Sequence, residues 1–453
     1  MLEAAARWAV AQQGAPLPEE VLHHTKRAVV DWFAAVVPGG GMSPARILTA
    51  ALVDDRTVGG SQLLPSGRTT SMRTAALVNG TAAHTAEVDD IFRDGVYHPG
   101  APTIAAALAA AQDLGVDGDS FLRAVWVGFE LSTRVAATIQ PAHYRYWHTT
   151  GTVGTLGAAA AVATLLGCDE GRLAHAITTA TTMAAGLQQA FRSDAMSKPL
   201  HAGHAAEAGT LAALAAHMGF TGAPDILEGA AGFGAAMSDD PDWSKVFDDL
   251  DEVRNITLMT FKNHACCGHT FAAIDGALQL RDEEAIAVED VAAVEVETYA
   301  TAIKVAGNPE PTTAFEAQFS IPYTVAAALR LGSVRLAAFE PEVLRDAGLR
   351  ELVSRVSVAV DPELDAAFPG QRGARVRIHL HDGRTVERFR HTRKGDPDLP
   401  LTDEELTGKF RDLVEPVLGG AASDVLASRL WSLEDQSDLG DLTGPATTTA
   451  DHR

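Results

Sequence analysis

Three ionisable side chains of this chain stand at the start of apolar, alanine-rich segments that are predicted to be helical. They are His98, His148 and Lys198, which begin the sequences His-Pro-Gly-Ala-Pro, His-Thr-Thr-Gly-Thr-Val-Gly and Lys-Pro-Leu-His. The N-terminus of a helix has unpaired N–H groups and a partial positive charge, so it favours a bound anion. A histidine can move a proton near neutral pH, and a lysine can hold a carboxylate or stabilise an enolate. The three residues together predict an acid–base site for an anionic substrate.

Polar side chains beside these residues could complete such a site. Carboxylates upstream of His98 would orient its ring and support its charged form, and hydroxyls after His148 would add polar groups beside the substrate. We therefore expect a substrate-binding role for Glu87, Asp89, Asp90, Thr149 and Thr150. Plainer alternatives exist, because an Asp-Asp pair is most often a solvated turn and His148 follows aromatic residues, as a core histidine would. Lys198 could equally lie along the surface with its charge in water.

A second group of reactive side chains occurs further along the chain. Cys267 and His269 could suggest a thiolate nucleophile, but nothing in the neighbouring sequence would orient such a pair, so we expect them to line a cleft at a domain junction. Tyr323 could be a core residue or a proton donor that reaches the site. The three cysteines lack the spacing of metal or iron–sulfur ligands, and His201 and His204 lack a third ligand, so no metal is expected.

The elements that must position these residues change in type along the chain. Up to about residue 265 the apolar residues recur at helix spacing. From roughly 270 to 395 a small α/β unit is predicted, with strands at Val291–Tyr299 and Val356–Val360 and a later hairpin that turns at an Asp-Gly pair. Thr402 and Glu405 then predict a capping box at the start of a helix that runs to about residue 433. Residues 434–453 are polar and are expected to form a loosely held tail.

Composition limits the class of protein. A chain of 453 residues is long enough for about two or three domains, and its formal charge of −23 argues against nucleic acid or an anionic membrane as a partner. The cysteine content and the absence of a basic segment at the start predict a reduced, cytoplasmic protein without a secretory signal. The uncharged stretch Gly151–Cys168 is only mildly apolar, so we expect a closely packed buried helix rather than a membrane span.

In this order and spacing, the motifs resemble those of the MmgE/PrpD family, whose members include 2-methylcitrate dehydratase, cis-aconitate decarboxylase and iminodisuccinate epimerase. The resemblance covers nearly the whole chain. It depends on Glu87–Asp90 with His98–Gly100, His148–Gly154, Ser197–Gly203, Cys266–Thr270 and Glu316–Tyr323.

The resemblance implies a mainly α fold, in which both chain ends (residues 1–268 and 400–453) form a large all-helical domain and residues 269–399 form a smaller α/β lid domain. It also implies a homodimer, a small carboxylate as substrate and a cofactor-free active site in the cleft between the domains. The positions that match the family's catalytic residues are His98, His148, Lys198 and Tyr323, together with the acidic segment Glu87–Asp90.

Two positions depart from the family pattern. Ile91 stands where many members have a threonine, and Gly268 stands where many have an arginine. Loss of the arginine removes a bidentate clamp for a carboxylate and weakens the binding expected for a tricarboxylate. We expect a lyase that dehydrates or decarboxylates a small polycarboxylate, in the manner of 2-methylcitrate dehydratase and without a cofactor. The alternatives are an epimerase acting on a dicarboxylate such as iminodisuccinate, and a non-catalytic relative that binds a carboxylate.

Overall fold

The computed structural model describes residues 1–54, 58–192, 195–239, 241–368, 370–440 and 442. Within these ranges the chain is mainly helical with a small sheet, as the sequence predicts. It divides into two compact units. The helical unit comprises Met1–Phe261 and Thr402–Arg453, and the sheet unit comprises Lys262–Leu401.

The first segment of the helical unit contains helices joined by short turns and two small antiparallel pairs of strands. The helices are α1 (Leu2–Gln12), α2 (Glu19–Gly40), α3 (Ser43–Leu52), α4 (Met72–Ala83), α5 (Gly100–Leu114), α6 (Gly118–Thr138), α7 (Thr149–Thr152), α8 (Gly154–Leu165), α9 (Glu170–Thr181), α10 (Ser197–His217) and α11 (Phe233–Met237). The strands are β1 (Ser61–Gln62), which pairs with β2 (Thr69–Thr70), and β3 (Ile91–Phe92), which pairs with β4 (Met259–Thr260).

Small residues allow the helices of this unit to approach closely. A methyl group built on Gly203 of α10 would lie 2.1 Å from Thr81 Oγ1 and 2.2 Å from the carbonyl oxygen of Leu77, both on α4. The uncharged stretch predicted to be a buried helix contains the whole of α8, whose residues through Thr164 are buried, so that prediction is confirmed. Among the described residues, no helix combines the length and the apolar character needed to cross a membrane.

The sheet unit contains a four-stranded sheet with helices on the chain segments between its strands. Its elements are α12 (Phe271–Glu283), β5 (Val291–Thr298), α13 (Ala300–Ala306), α14 (Ala314–Gln318), α15 (Ile321–Leu331), α16 (Pro341–Leu344), α17 (Ala347–Ser354), β6 (Val356–Val360), α18 (Pro362–Ala367), β7 (Ala374–Leu380) and β8 (Thr385–Arg390). The strand order is β6-β5-β7-β8, in which β5 and β6 are parallel and the other neighbours antiparallel. Alternate residues of β7 are buried, and α12 packs against β7 and β8. The predicted strands and hairpin are therefore confirmed.

After the sheet unit, the chain returns to the helical unit as α19 (Asp403–Leu418) and α20 (Gly420–Trp431). The predicted capping box is confirmed, because Thr402 accepts from the Glu405 N–H while the Glu405 side chain accepts from the Thr402 N–H. Lys409 on α19 is fully buried, forms an ion pair with Asp31 on α2 and donates to the carbonyl oxygen of Val88 at 2.6 Å. Lys409 thus connects α19 with α2, nearly 400 residues earlier in the sequence. It also connects both helices with the acidic segment that contains Glu87 and Asp89.

The predicted loose tail is only partly described. Leu439 and Leu442 are buried, so the described part of the tail is packed more closely than its polar composition suggested. Residues 441 and 443–453 lie outside the described residues.

Candidate active site

The helical unit brings four histidines, a lysine and an acidic segment together at the ends of four helices. His84 follows the last residue of α4, His98 lies just before α5, His148 immediately precedes α7, and Lys198 and His201 lie in the first two turns of α10. Since α4, α5 and α7 each pack against α10, the ends that carry these residues meet.

The backbone that leads into this cluster adopts an uncommon conformation at two places. Glu87 has a φ of 56° and Val96 a φ of 46°, both in the left-handed region. Residues other than glycine seldom adopt this region, least of all when they are branched at Cβ. Such conformations persist where the surrounding structure determines them and are frequent at functional sites.

Lys198 is paired within the cluster. Its ammonium group donates to Glu87 Oε1, and the two residues are 8% and 7% exposed. A buried ammonium is stable only with such a partner. Glu87 therefore compensates the buried charge of Lys198, which does not lie along the surface with its charge in water.

Asp89 lies between two of the histidines. Its Oδ2 atom is 2.6 Å from Nδ1 of His84 and 3.4 Å from Nδ1 of His98. His84 and Asp89 are both fully buried, whereas the His98 side chain retains 17% of its accessible surface. The carboxylate can thus support a positive charge on either ring.

The hydrogen bonds of His98 determine which ring nitrogen carries the hydrogen. Nδ1 lies 2.7 Å from the carbonyl oxygen of Asp90, which can only accept, so Nδ1 is the N–H and in the neutral ring Nε2 has the lone pair. One group among the described residues, His84, Asp89 and His98, has ligand atoms within 4.8 Å of one another, a spacing that a cation could use. Because Nδ1 of His98 has no lone pair to offer in this arrangement, we interpret the group as a hydrogen-bonded network rather than a cation site.

Asp90 has a different role from its neighbour. Both of its carboxyl oxygens accept from the N–H of Gly100, at 3.1 and 3.2 Å, and thereby tie the acidic segment to the start of α5. Burial raises the pKa of Asp90 well above its usual value, and the nearby carboxyl groups of Asp31 and Asp89 raise it further. The geometry makes Asp90 a residue that holds the loop before His98.

His148 is buried and in contact with His201. Their Nδ1 atoms are 3.1 Å apart, so one donates and the other accepts, and the His148 backbone N–H donates to the Gly186 carbonyl oxygen at 2.9 Å. Burial lowers the pKa of His148 well below its usual value, and neighbouring cationic groups lower it further. Burial also lowers the pKa of His201, to about 4. Both rings are therefore neutral at neutral pH.

The two threonines that follow His148 serve as buried hydrogen-bond acceptors. Thr149 Oγ1 accepts from the Gln140 amide at 3.0 Å, and Thr150 Oγ1 accepts from the His98 backbone N–H at 3.2 Å. The second bond connects the residues before α5 with those that begin α7, so Thr150 orients the segment that carries His98.

Three of the predicted site residues lie in the sheet unit. Tyr323 is fully buried and its hydroxyl donates to the Ala338 carbonyl oxygen at 2.6 Å, and burial raises its pKa to about 12. His269 is 2.6 Å from the hydroxyl of Tyr299, and burial, with nearby arginines, lowers its pKa to about 3. Cys267 is buried, and its backbone N–H donates to the Gln318 carbonyl oxygen at 2.9 Å.

Sequence reasoning missed His84 and assigned no role in the site to His201. His84 stands between an alanine and a threonine and has no motif of its own; its only signal is a position five residues before Asp89. His201 lies one helical turn after Lys198, which places both on one face of α10. That spacing could have suggested a shared site.

Comparisons with known proteins show which family the chain resembles over most of its length. The MmgE/PrpD N-terminal domain matches residues 3–246, and the MmgE/PrpD C-terminal domain matches residues 264–433. The cis-aconitate decarboxylase-like protein oryM of Aspergillus oryzae is 28% identical, with 96% of this chain and 95% of that protein covered. The cis-aconitate decarboxylase of Homo sapiens is 28% identical, with coverage of 82% and 78%, and that of Aspergillus terreus is 23% identical, with coverage of 92% and 89%.

Proposed function

Because the chain belongs to the MmgE/PrpD family, we propose that it is a lyase acting on a small polycarboxylate, and that it decarboxylates an unsaturated tricarboxylate of the cis-aconitate type. The names of the relatives support decarboxylation, which is one of the two reactions that the motifs left open, over dehydration. The observation that carries the proposal is the group formed by the partly exposed His98 and the buried His148 and Lys198. It combines a histidine beside a carboxylate, a neutral histidine and an ammonium group.

His98 is the proton donor in this proposal. The Asp89 carboxylate and the Asp90 carbonyl oxygen both face its Nδ1 and stabilise the imidazolium form. When CO2 leaves, the electron pair of the broken carbon–carboxylate bond moves into the conjugated skeleton as an enolate-like charge. One proton added to a skeleton carbon completes the reaction, and the imidazolium of His98 supplies it. Because His98 is partly exposed, solvent can reprotonate it.

Lys198 stabilises the charge that develops. Its ammonium group stands in the first turn of α10, where backbone N–H groups also favour an anion. Glu87 holds this ammonium group in the structure, so a substrate carboxylate must share it or replace Glu87. Thr149, Thr150, Asp89 and Asp90 are proposed to shape the same site.

His148 contributes through its neutrality. A neutral imidazole can take a proton from the carbon α to a carboxylate, as dehydration requires. In decarboxylation an uncharged ring avoids stabilising the departing group as a carboxylate. Both reactions therefore need the unprotonated state of His148.

The residues of the sheet unit enter the proposal as substrate-binding groups. Cys267 and His269 are proposed to contact the substrate, and Tyr323 is proposed as a second proton donor, for which its hydroxyl must release the Ala338 carbonyl oxygen. The homodimer and the cofactor independence implied by the family resemblance stay predictions, as does the cytoplasmic location predicted from composition.

A proton NMR time course of the purified chain in D2O tests the function. With cis-aconitate, we expect loss of CO2 and one deuterium in the product. Replacement of His98 by Asn or of Lys198 by Met should lower kcat/KM by about 100- to 10,000-fold. Matched controls are His217→Asn in the last turn of α10 and Lys245→Met at an exposed lysine, both of which should retain wild-type turnover.

Other outcomes reject the proposal in distinguishable ways. An alkene formed from 2-methylcitrate or citrate without CO2 identifies a dehydratase. Deuterium exchange without elimination, on iminodisuccinate or a related dicarboxylate, identifies an epimerase. Thermal stabilisation by these ligands without any turnover identifies a carboxylate-binding protein.

A further inference from the structure

His84 is a buried histidine to which the mechanism above assigns no role. It follows the last residue of α4, is fully buried, and its Nδ1 lies 2.6 Å from Asp89 Oδ2. Its Nε2 is buried and makes no hydrogen bond to any group in the part of the chain that the structure describes. A histidine that only filled the core would destabilise the folded protein, because a buried ring nitrogen without a hydrogen-bond partner costs free energy.

The ring of His84 lies between the two histidines of the proposed mechanism. It stacks on His148, with ring centroids 5.3 Å apart and an angle of 25° between the planes. It meets His98 edge to face, with centroids 4.8 Å apart at 62°. A charge on His84 therefore acts on His148 at short range in a poorly solvated environment, whereas at His98 it is opposed by the Asp89 carboxylate and the Asp90 carbonyl oxygen that face Nδ1.

The carboxylate of Asp89 stabilises the protonated form of His84. The carboxylate is 1% exposed, and a buried carboxylate requires a positive partner. The N–H of His84 at 2.6 Å is closer than that of His98 at 3.4 Å. A contact this short is typical of a charge-assisted hydrogen bond to an ionised acceptor.

Several charged and titratable groups face His148 from the elements packed around it. They are His84 at the end of α4, His98 before α5, and Lys198 and His201 on α10, while the carboxylates of the acidic segment, Glu87 and Asp89, pair with Lys198 and His84. The positive charge of Lys198 is balanced by Glu87. His84 is the group that stacks directly on the His148 ring, with its compensating carboxylate on Nδ1.

We propose that His84 is a positioning residue: held as an imidazolium by Asp89 and stacked on His148, it keeps His148 unprotonated near neutral pH. This inference rests on the proposed function, in which His148 acts in its neutral form. In this proposal two neighbouring rings differ in charge: His84 is cationic and His148 is neutral.

The charge states can be measured without turnover. In the full chain labelled with 15N-histidine, the ring signals of His84 and His148 are assigned by their loss in His84→Asn and His148→Asn. At pH 7 His84 should show two protonated ring nitrogens and His148 one. In His84→Asn the amide can still donate to Asp89 but carries no charge, so the titration of His148 should move to higher pH by about one pH unit or more.

A matched control separates charge from the mere loss of a buried histidine. His143 in the helical unit is fully buried, and its Nε2 lies 2.8 Å from Thr152 Oγ1. Burial lowers its pKa to about 4, so it is neutral at pH 7. The variant His143→Asn removes a neutral ring and should leave the titration of His148 where it is.

The pH dependence of kcat/KM gives a second readout. In His84→Asn the acidic limb should move to higher pH while the plateau rate stays within a few-fold of wild type, which a simple packing defect would not produce. If His84→Asn does not fold, Asp89→Asn provides the same test, because His84 should then lose its imidazolium signature and the titration of His148 should again rise.

A neutral His84 in the wild-type protein, or an unchanged titration of His148 in a folded variant, overturns the inference. Both results are read from ring signals and do not require a substrate. A chain without turnover but with an imidazolium at His84 would reject the proposed function alone.

Discussion

Removal of the Lys198 ammonium group should destabilise the helical unit as well as abolish turnover. In Lys198→Met the Glu87 carboxylate loses its cationic partner while 93% of its surface stays buried, since the residue is 7% exposed. Breaking a buried ion pair from one side typically costs about 3–5 kcal/mol. We expect the lower end, about 3 kcal/mol, because both side chains keep some contact with solvent.

The double variant Glu87→Gln/Lys198→Met separates stability from chemistry. It removes both charges and replaces them with groups of similar size, so the free energy of unfolding should return to within about 1 kcal/mol of wild type. Turnover should not return, because the enolate-like charge still lacks its ammonium group. Recovery of stability without recovery of activity is the expected signature.

Tryptophan fluorescence during urea unfolding measures the change in the free energy of unfolding of the helical unit. All six tryptophans of the chain lie within Met1–Phe261 or Thr402–Arg453, so the signal reports the helical unit alone. A control is an exposed ion pair in the same unit, since Arg73 on α4 pairs with Glu207 on α10 at side-chain exposures of 45% and 28%. The variant Arg73→Met should cost less than about 1 kcal/mol, as exposed pairs do.

Two results would refute the reasoning. A Lys198→Met variant as stable as wild type would show that the pair is not held in a buried environment. A double variant that regains turnover would show that the ammonium group is dispensable for catalysis. The proposed catalytic role of Lys198 would then be wrong, although the stabilising ion pair with Glu87 would not be refuted.

Two further predictions concern stability. Burial lowers the pKa of His143 to about 4, whereas the unfolded chain takes up that proton near pH 6.5. The unfolded state therefore binds more protons as the pH falls between these values, and the helical unit should lose about 3 kcal/mol from this residue, measurable as a falling urea midpoint that flattens in His143→Asn. Gly203→Ala should destabilise by about 3 kcal/mol or more, because its methyl group meets the Leu77 carbonyl oxygen of α4 at 2.2 Å. Gly408→Ala in α19, where a methyl group meets nothing within 4 Å, should instead stabilise by about 0.5–1 kcal/mol, so equal effects in a urea titration would contradict the packing argument.

Local patterns predicted the elements well where the residues themselves determine the conformation. The valines of Val356–Val360 and the alternation before Asp382-Gly383 predict strands and a hairpin, and Gly383 has the positive φ of 89° that the turn requires. The capping box at Thr402 depends only on a residue three positions away. Such features need no knowledge of the rest of the fold.

Local sequence patterns predicted only some of the residues that form the site. His98, His148 and Lys198 were recognised because each stands at a helix start, but His84 stands at a helix end, where no pattern marks it. Its proximity to His148 depends on the packing of α4 against α10, which is determined by glycines such as Gly203. Likewise, the carbonyl oxygen that engages Tyr323 belongs to Ala338, and no side-chain pattern identifies a backbone acceptor.

The ion pair between Asp31 and Lys409 has a consequence for the order of synthesis. Asp31 lies on α2 and is fully buried, yet its cationic partner is 378 residues later in the chain. A ribosome therefore synthesises the whole of Lys262–Leu401 before this ion pair can form. The sheet unit, being continuous in sequence, can fold as it emerges, while α2 must wait for α19. A nascent chain stalled before Lys409 would carry an unfinished helical unit, whose exposed apolar surface is a target for chaperones and proteases.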